Sequence, residues 1–178
     1  MLLLMICFFI FPTNFSAVCA RTTTLDPVAV TIIMVALDVV AALIGLVFGR
    51  MMRWFMVAVK YFAPVFFFLG YLCFAVSQRV ASLLLGCLFI GVANGVGVPY
   101  LNTIASIKAG REAATTVMPL LSAALYAGQF LSPLVATPLA AAFPENASGI
   151  YWIACAFCVL FLLEVFITRR HQALPPQE

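Results

Sequence analysis

The sequence predicts an all-α membrane protein, a six-helix transmembrane bundle, and three observations carry the prediction. Of the 178 residues, 66% are hydrophobic and only 8% charged, against about half and about a quarter in soluble domains. Mean hydropathy is +1.18. The apolar residues also gather into six runs, each near the roughly 20 residues that cross about 30 Å of hydrocarbon. Six such runs fill the chain and leave no room for a soluble domain. So little charge excludes a soluble globule, a disordered segment and a nucleic-acid binder. The net charge of +3 matters less than where the positive residues sit.

Polar punctuation sets the elements in order. The first span covers residues 1–18 and is interrupted by Pro12, Thr13 and Asn14. Its end, Ser16-Ala-Val-Cys-Ala20, carries small residues, so a cleaved signal peptide is the alternative. The missing basic leader and the polar middle favour a span. After Arg21-Thr-Thr-Thr-Leu-Asp26, Pro27 is well placed to open a helix, and the second span covers 28–48. It stops at Gly49-Arg50-Met-Met-Arg53. The third span covers 54–76, and Ser77-Gln78-Arg79 makes a tight turn into the fourth, 81–104. The polar stretch Lys108-Ala-Gly-Arg111-Glu112 leads to the fifth, 113–142, which carries Pro119, Pro133 and Pro138. Beyond Phe143-Pro-Glu-Asn-Ala-Ser-Gly149 the sixth span covers 150–167, and 169–178 form a tail.

Six spans place both termini on one side. Arg50, Arg53, Lys108, Arg111, Arg169 and Arg170 then share that side, with only Arg21 and Arg79 opposite. The positive-inside rule makes the six-charge face cytoplasmic, so the expected location is a cell (inner or plasma) membrane with both termini cytoplasmic. Trp54 and Tyr151 fall at opposite interfaces, where amphipathic rings are favoured. Cys7, Cys19, Cys73, Cys87, Cys155 and Cys158 lie in or beside apolar runs and read as small packing residues.

Between the second and third spans stands Gly45-Leu-Val-Phe-Gly-Arg50-Met-Met-Arg53. This resembles the G-x-L-x-D-R-x-G-R loop of the major facilitator superfamily. Gly45, Arg50 and Arg53 match it, while Gly49 replaces the acid and Met52 the second glycine. Gly86-Cys-Leu-Phe-Ile-Gly91-Val-Ala-Asn94-Gly95-Val-Gly97-Val-Pro99 resembles the glycine-rich fourth helix of that family's C-terminal half. Lys108-Ala-Gly-Arg111-Glu-Ala-Ala and Gly128-Gln-Phe-Leu-Ser-Pro133-Leu resemble its cytoplasmic loop and fifth helix. The resemblance spans nearly the whole chain and implies one six-helix half of a secondary transporter. By physics alone, Gly45 with Gly49 and Gly91 with Gly95 are four apart, so each pair lets a neighbouring helix approach closely. The prolines free backbone carbonyls that neighbours or a wet cavity must satisfy.

Ionisable groups inside the membrane cost at least about 2.5–3.5 kcal/mol each, so each needs a reason. Asp38 lies ten residues into its span, far from any loop. Thr31, Met34, Ala41, Ala42, Gly45 and Gly49 share its helical face, a strip expected to look into the bundle. It is either a proton-coupling or substrate-contacting carboxylate or a structural hydrogen-bond acceptor. Lys60 and Glu164 sit within reach of the headgroups and snorkel; matched depth also permits a Lys60–Glu164 ion pair. Asn14, Asn94, Tyr126 and Gln129 are neutral polar groups on the first, fourth and fifth spans, helices that the resemblance implies help line a central cavity. Asn94 stands out because glycines surround it.

There is no phosphate loop, no metal-ligand cluster and no nucleophile with a base, and the single His171 is in the tail. No enzyme, cofactor or metal is therefore expected. The Asn146-Ala-Ser148 sequon is too close to lipid to be a good acceptor. The expected partners are the lipid bilayer, a small-molecule substrate, and either a missing N-terminal half or a second copy. The expected function is transmembrane transport of a small solute by a truncated C-terminal half; a small scaffold or accessory membrane protein is the alternative.

Overall fold

The computed structural model describes residues 1–55, 58–77, 79–141 and 149–170, and among them every regular element is a helix. Helix α1 spans Leu2–Thr22, α2 spans Pro27–Phe55 and α3 spans Val59–Val76. Helical backbone then runs from Val80 to Ala141, broken at Gly110 by φ 65° and ψ −178°. That break separates α4 (Val80–Gly110) from α5 (Thr115–Pro138). Helix α6 covers Gly149–Arg170. All six are long and apolar enough to cross a membrane, which marks a multi-pass membrane protein.

Several helix ends differ from the polar punctuation. Gly49–Arg53, expected as a loop, forms the last turns of α2, and α3 begins at Val59 rather than Trp54. Met, Arg and Lys are good helix formers, so charge marks the limit of the hydrocarbon without ending the helix. Likewise α4 continues past Ile104 until Gly110, whose backbone conformation is essentially open to glycine alone. The first helix reaches Thr22 because the Thr22 and Thr23 hydroxyls donate to the Val18 and Cys19 carbonyls at 2.8 Å, satisfying last-turn acceptors. Between α3 and α4 the Ser82 hydroxyl donates to the Cys73 carbonyl at 2.7 Å. Gln78, the Asn146–Ser148 sequon and the tail from His171 lie outside the described residues.

Helices α1 and α4 form the centre. Half of the most apolar stretch of each is buried, against 11% for α2 and 17% for α5. Two glycines dock α2 on α4. A Cβ on Gly91 would stand 2.9 Å from the Leu37 carbonyl oxygen, and one on Gly95 would stand 2.5 Å from that of Ala41. On the other side α5 docks on α1 by the same device, since a Cβ on Gly128 would lie 2.6 Å from Met5 Cβ. One turn on, the buried Ser132 hydroxyl donates to the Ile6 carbonyl at 3.3 Å. In each pair the numbering rises together, so the helices run parallel. Gly45 meets α4 only at 3.9 Å and Gly49 meets nothing within 4 Å, so of that expected packing pair Gly45 alone faces a neighbour.

Helix α3 backs the bundle through rings. Phe11 lies 5.5 Å and Phe15 5.6 Å from Phe74, centroid to centroid, and Phe74 lies 5.1 Å from Tyr151. Tyr151, expected at an interface, is therefore a core residue, 0% exposed. Its turn of α6 also carries the buried Ala154 and Cys155, so the ring turns inward into aromatic contact.

Replacing Gly95 with Leu should lower stability by about 1–3 kcal/mol, the usual cost of overpacking, whereas Gly49→Ala should raise it by about 0.5–1 kcal/mol through helix propensity. Thermal unfolding in detergent by circular dichroism reads both. Gly110→Ala should cost about 1–3 kcal/mol through its positive φ, in the same assay.

Candidate functional site

Around its axis α2 presents three faces. Val30, Ile33, Leu37 and Phe48 are buried. Ile32, Val35, Val39, Leu43 and Leu46 are exposed, and they are as apolar as lipid. Between these lies a strip of Thr31, Asp38, Ala42 and Gly49, all exposed, with Gly45 half-buried. The strip expected to look into the bundle thus looks out of it at Asp38. Leu37 and Ala41 are held against α4 by Gly91 and Gly95, and one residue is a 100° step round a helix, which carries Asp38 clear of that contact.

Helix α5 divides in the same way. Gly128, Ser132 and Ala136 are buried, while Leu134 and Phe130 are exposed apolar residues. Tyr126 is 67% exposed, and Gln129 and Ser122 are exposed on its flank at helical spacings of three and four. On α1, Thr13 and Ser16 are exposed, with the Thr13 hydroxyl donating to Phe9 at 2.7 Å. Asn14 is half-buried and its amide donates to the Ile10 carbonyl at 2.9 Å, so its donor serves its own helix. Asn94 is half-buried on α4, and its side-chain oxygen is buried without a hydrogen-bond partner among the described residues. An acceptor left in that state costs about 1–3 kcal/mol, which makes Asn94 the sequence candidate with most to gain from an added donor.

The five polar candidates do not converge on one enclosed pocket. Asp38, Tyr126 and Gln129 stand on outer surfaces of the two barest helices, and Asn14 and Asn94 on the two central ones. Arg50 and Arg53 are exposed in the last turns of α2, with Gly45 one to two turns before them. A cavity of about 160 Å³ lies elsewhere, between α3 and α6, lined by Val65, Phe68, Leu69, Cys158, Val159 and Leu162. With no polar lining, it suits an apolar chain. Lys60 places its ammonium 5.1 Å from the Tyr61 ring centroid, and no Lys60–Glu164 ion pair forms among the described residues. All six cysteines are free.

Sequence reasoning missed the hydroxyls that tie helices together. Tyr71, fully buried on α3, donates its hydroxyl to the Cys7 carbonyl of α1, and Ser132 does the same between α5 and α1. A hydroxyl set in an apolar run is the available signal, because in lipid it must find an acceptor. Comparison with protein-family models, curated proteins and solved structures finds no match for this chain.

The two buried tyrosines make opposite predictions. Tyr71→Phe leaves a carbonyl short of its partner and should cost about 0.6–1.7 kcal/mol. The Tyr151 hydroxyl is buried without a partner among the described residues, so Tyr151→Phe should be neutral or stabilising. Melting temperatures of the two variants in one detergent decide it.

Proposed function

We propose that this chain is one six-helix half of a secondary transporter of the major facilitator type, carrying a small solute across a cell membrane. The observation that carries the reading is the third face of α2. Core residues cover one side of the helix and lipid-like residues another, and the strip holding Asp38 suits neither. Transporters of this class hold two six-helix units about an axis along the membrane normal, with the solute near mid-membrane between them. A unit seen alone would then expose polar groups at the wall where the other unit sits. Asp38 on α2, Thr13 on α1, and Tyr126 and Gln129 on α5 are such groups.

Three further features support the reading. The loop signature with Gly45, Arg50 and Arg53 has the family's spacing. Counting Arg and Lys at the helix ends orients the bundle with both termini in the cytoplasm. Proline at three positions of α5 suits a helix that bends as access alternates. Asp38 is the residue assigned to solute contact or proton coupling, and Asn94 the residue assigned to a donor from the solute. Alone, the chain supplies one wall and moves nothing.

The test is reconstitution in vesicles of the complete transporter, this chain joined to a six-span N-terminal half. Uptake or efflux driven by a proton gradient should appear with both halves and vanish with either alone. Asp38→Asn should reduce it by at least about ten-fold, a loss of about 1.4 kcal/mol of transition-state stabilisation. Unchanged transport would remove Asp38 from the mechanism. A chain that remains a stable monomer and transports nothing with any partner half would instead be a scaffold.

A further inference from the structure

We infer that the strip of α2 is a docking surface for a transmembrane helix lying outside these 178 residues, one that brings a lysine or arginine to the depth of Asp38. The inference rests on the paired-unit reading and names the chemistry of the partner.

Lipid is the first occupant to exclude. Asp38 lies eleven residues beyond the Pro27 start of α2, about 17 Å along the axis and so near the middle of about 30 Å of hydrocarbon. Its side chain is too short to reach headgroups from there. The helix already has a face for lipid, made of Ile32, Val35, Val39, Leu43 and Leu46, and Asp38 is not on it.

The shape of the strip fits a helix. From Asp38 the positions Ala42, Gly45 and Gly49 follow at steps of four, three and four, all small. Apart from its own helix backbone, no atom of the described residues comes within 4 Å of where a Gly49 Cβ would be, so its groove is open among them. Small residues at this spacing let a second backbone come close, as Gly91 and Gly95 already do for α4 on the buried face.

Charge decides which helix. The exposed polar side chains on α1, α2 and α5 at membrane depth include Thr13, Ser16, Thr31, Ser122, Tyr126 and Gln129, all neutral. A second copy docked strip to strip would set one Asp38 against another, and docked through α1 or α5 would offer it, among the described residues at that depth, only neutral groups. Lys60 is half-buried on α3, on the side backing the bundle. The cation that completes Asp38 therefore comes from a different sequence. A carboxylate desolvated at an interface is retained when a charge of opposite sign meets it there.

The test places the full chain in phosphatidylcholine vesicles with synthetic single-span peptides. One peptide carries a central Lys with Gly at the third and seventh positions beyond it, and the control has Leu in place of Lys. Energy transfer between labelled chain and peptide reports binding. The Lys peptide should bind at least about ten-fold more tightly than the control, which corresponds to about 1.4 kcal/mol. That preference should vanish in Asp38→Asn, while Ala42→Leu should weaken both peptides. Equal binding of the two peptides, or a preference that survives Asp38→Asn, overturns the proposal. So does chain-to-chain energy transfer that excludes the Lys peptide, which would make a second copy the occupant. No solute gradient enters the measurement, so failed transport by the complete transporter leaves this result standing, and failed docking leaves the transport result standing.

Discussion

The bundle depends on backbone contact between helices. Lipid tails are as apolar as leucine, so burying leucine against leucine offers these helices little. Association comes from dispersion between closely set atoms and from the few hydrogen bonds that cross between helices. Gly91 and Gly95 put α4 against the carbonyls of Leu37 and Ala41, and Gly128 puts α5 against Met5. Tyr71 and Ser132 add hydroxyl bonds to carbonyls of α1. The rest follows from these points. Once α2 is held by its Leu37 face, the outward position of Asp38 is settled, and so is the separation of the lipid-facing residues from the small polar strip.

The six helices were legible because hydrocarbon thickness imposes a length, and Pro27 marked the start of α2 correctly. Helix ends were less so. Arg50 and Arg53 sit at the limit of the apolar core, but nothing in Gly49–Arg53 opposes helix, and the chain continues to Phe55. Gly110 was the true turn inside a polar stretch that looked uniformly loop-like, because its role depends on a backbone angle that sequence does not display. The inward turn of Tyr151 was illegible for a related reason. Position along a span says how deep a ring lies, whereas its direction depends on where α1 and α3 stand.

The candidate site was legible as a list of residues and illegible as a geometry. Membrane proteins turn polar groups inward, which made the Asp38 strip look like interior. The rule assumes that the bundle on hand is the whole bundle. On the proposed pairing of two units, the interior in question belongs to the pair, and the same strip becomes a boundary. Asn94 needed the structure for a different reason, since its orphaned oxygen is a property of surrounding helices whose described residues supply no donor.

Unequal helix lengths carry one more consequence. The 29 residues of α2 extend about 43 Å, while the 18 residues of α3 extend about 27 Å. A bilayer matched to one is mismatched to the other, so α2 must lean, or carry its Arg50–Phe55 end well past the headgroups. Membrane thickness then acts on the angle of α2, and with it on how squarely the strip beside Asp38 faces whatever covers it. On the proposed docking, lipid composition is thereby a variable of assembly as well as the solvent.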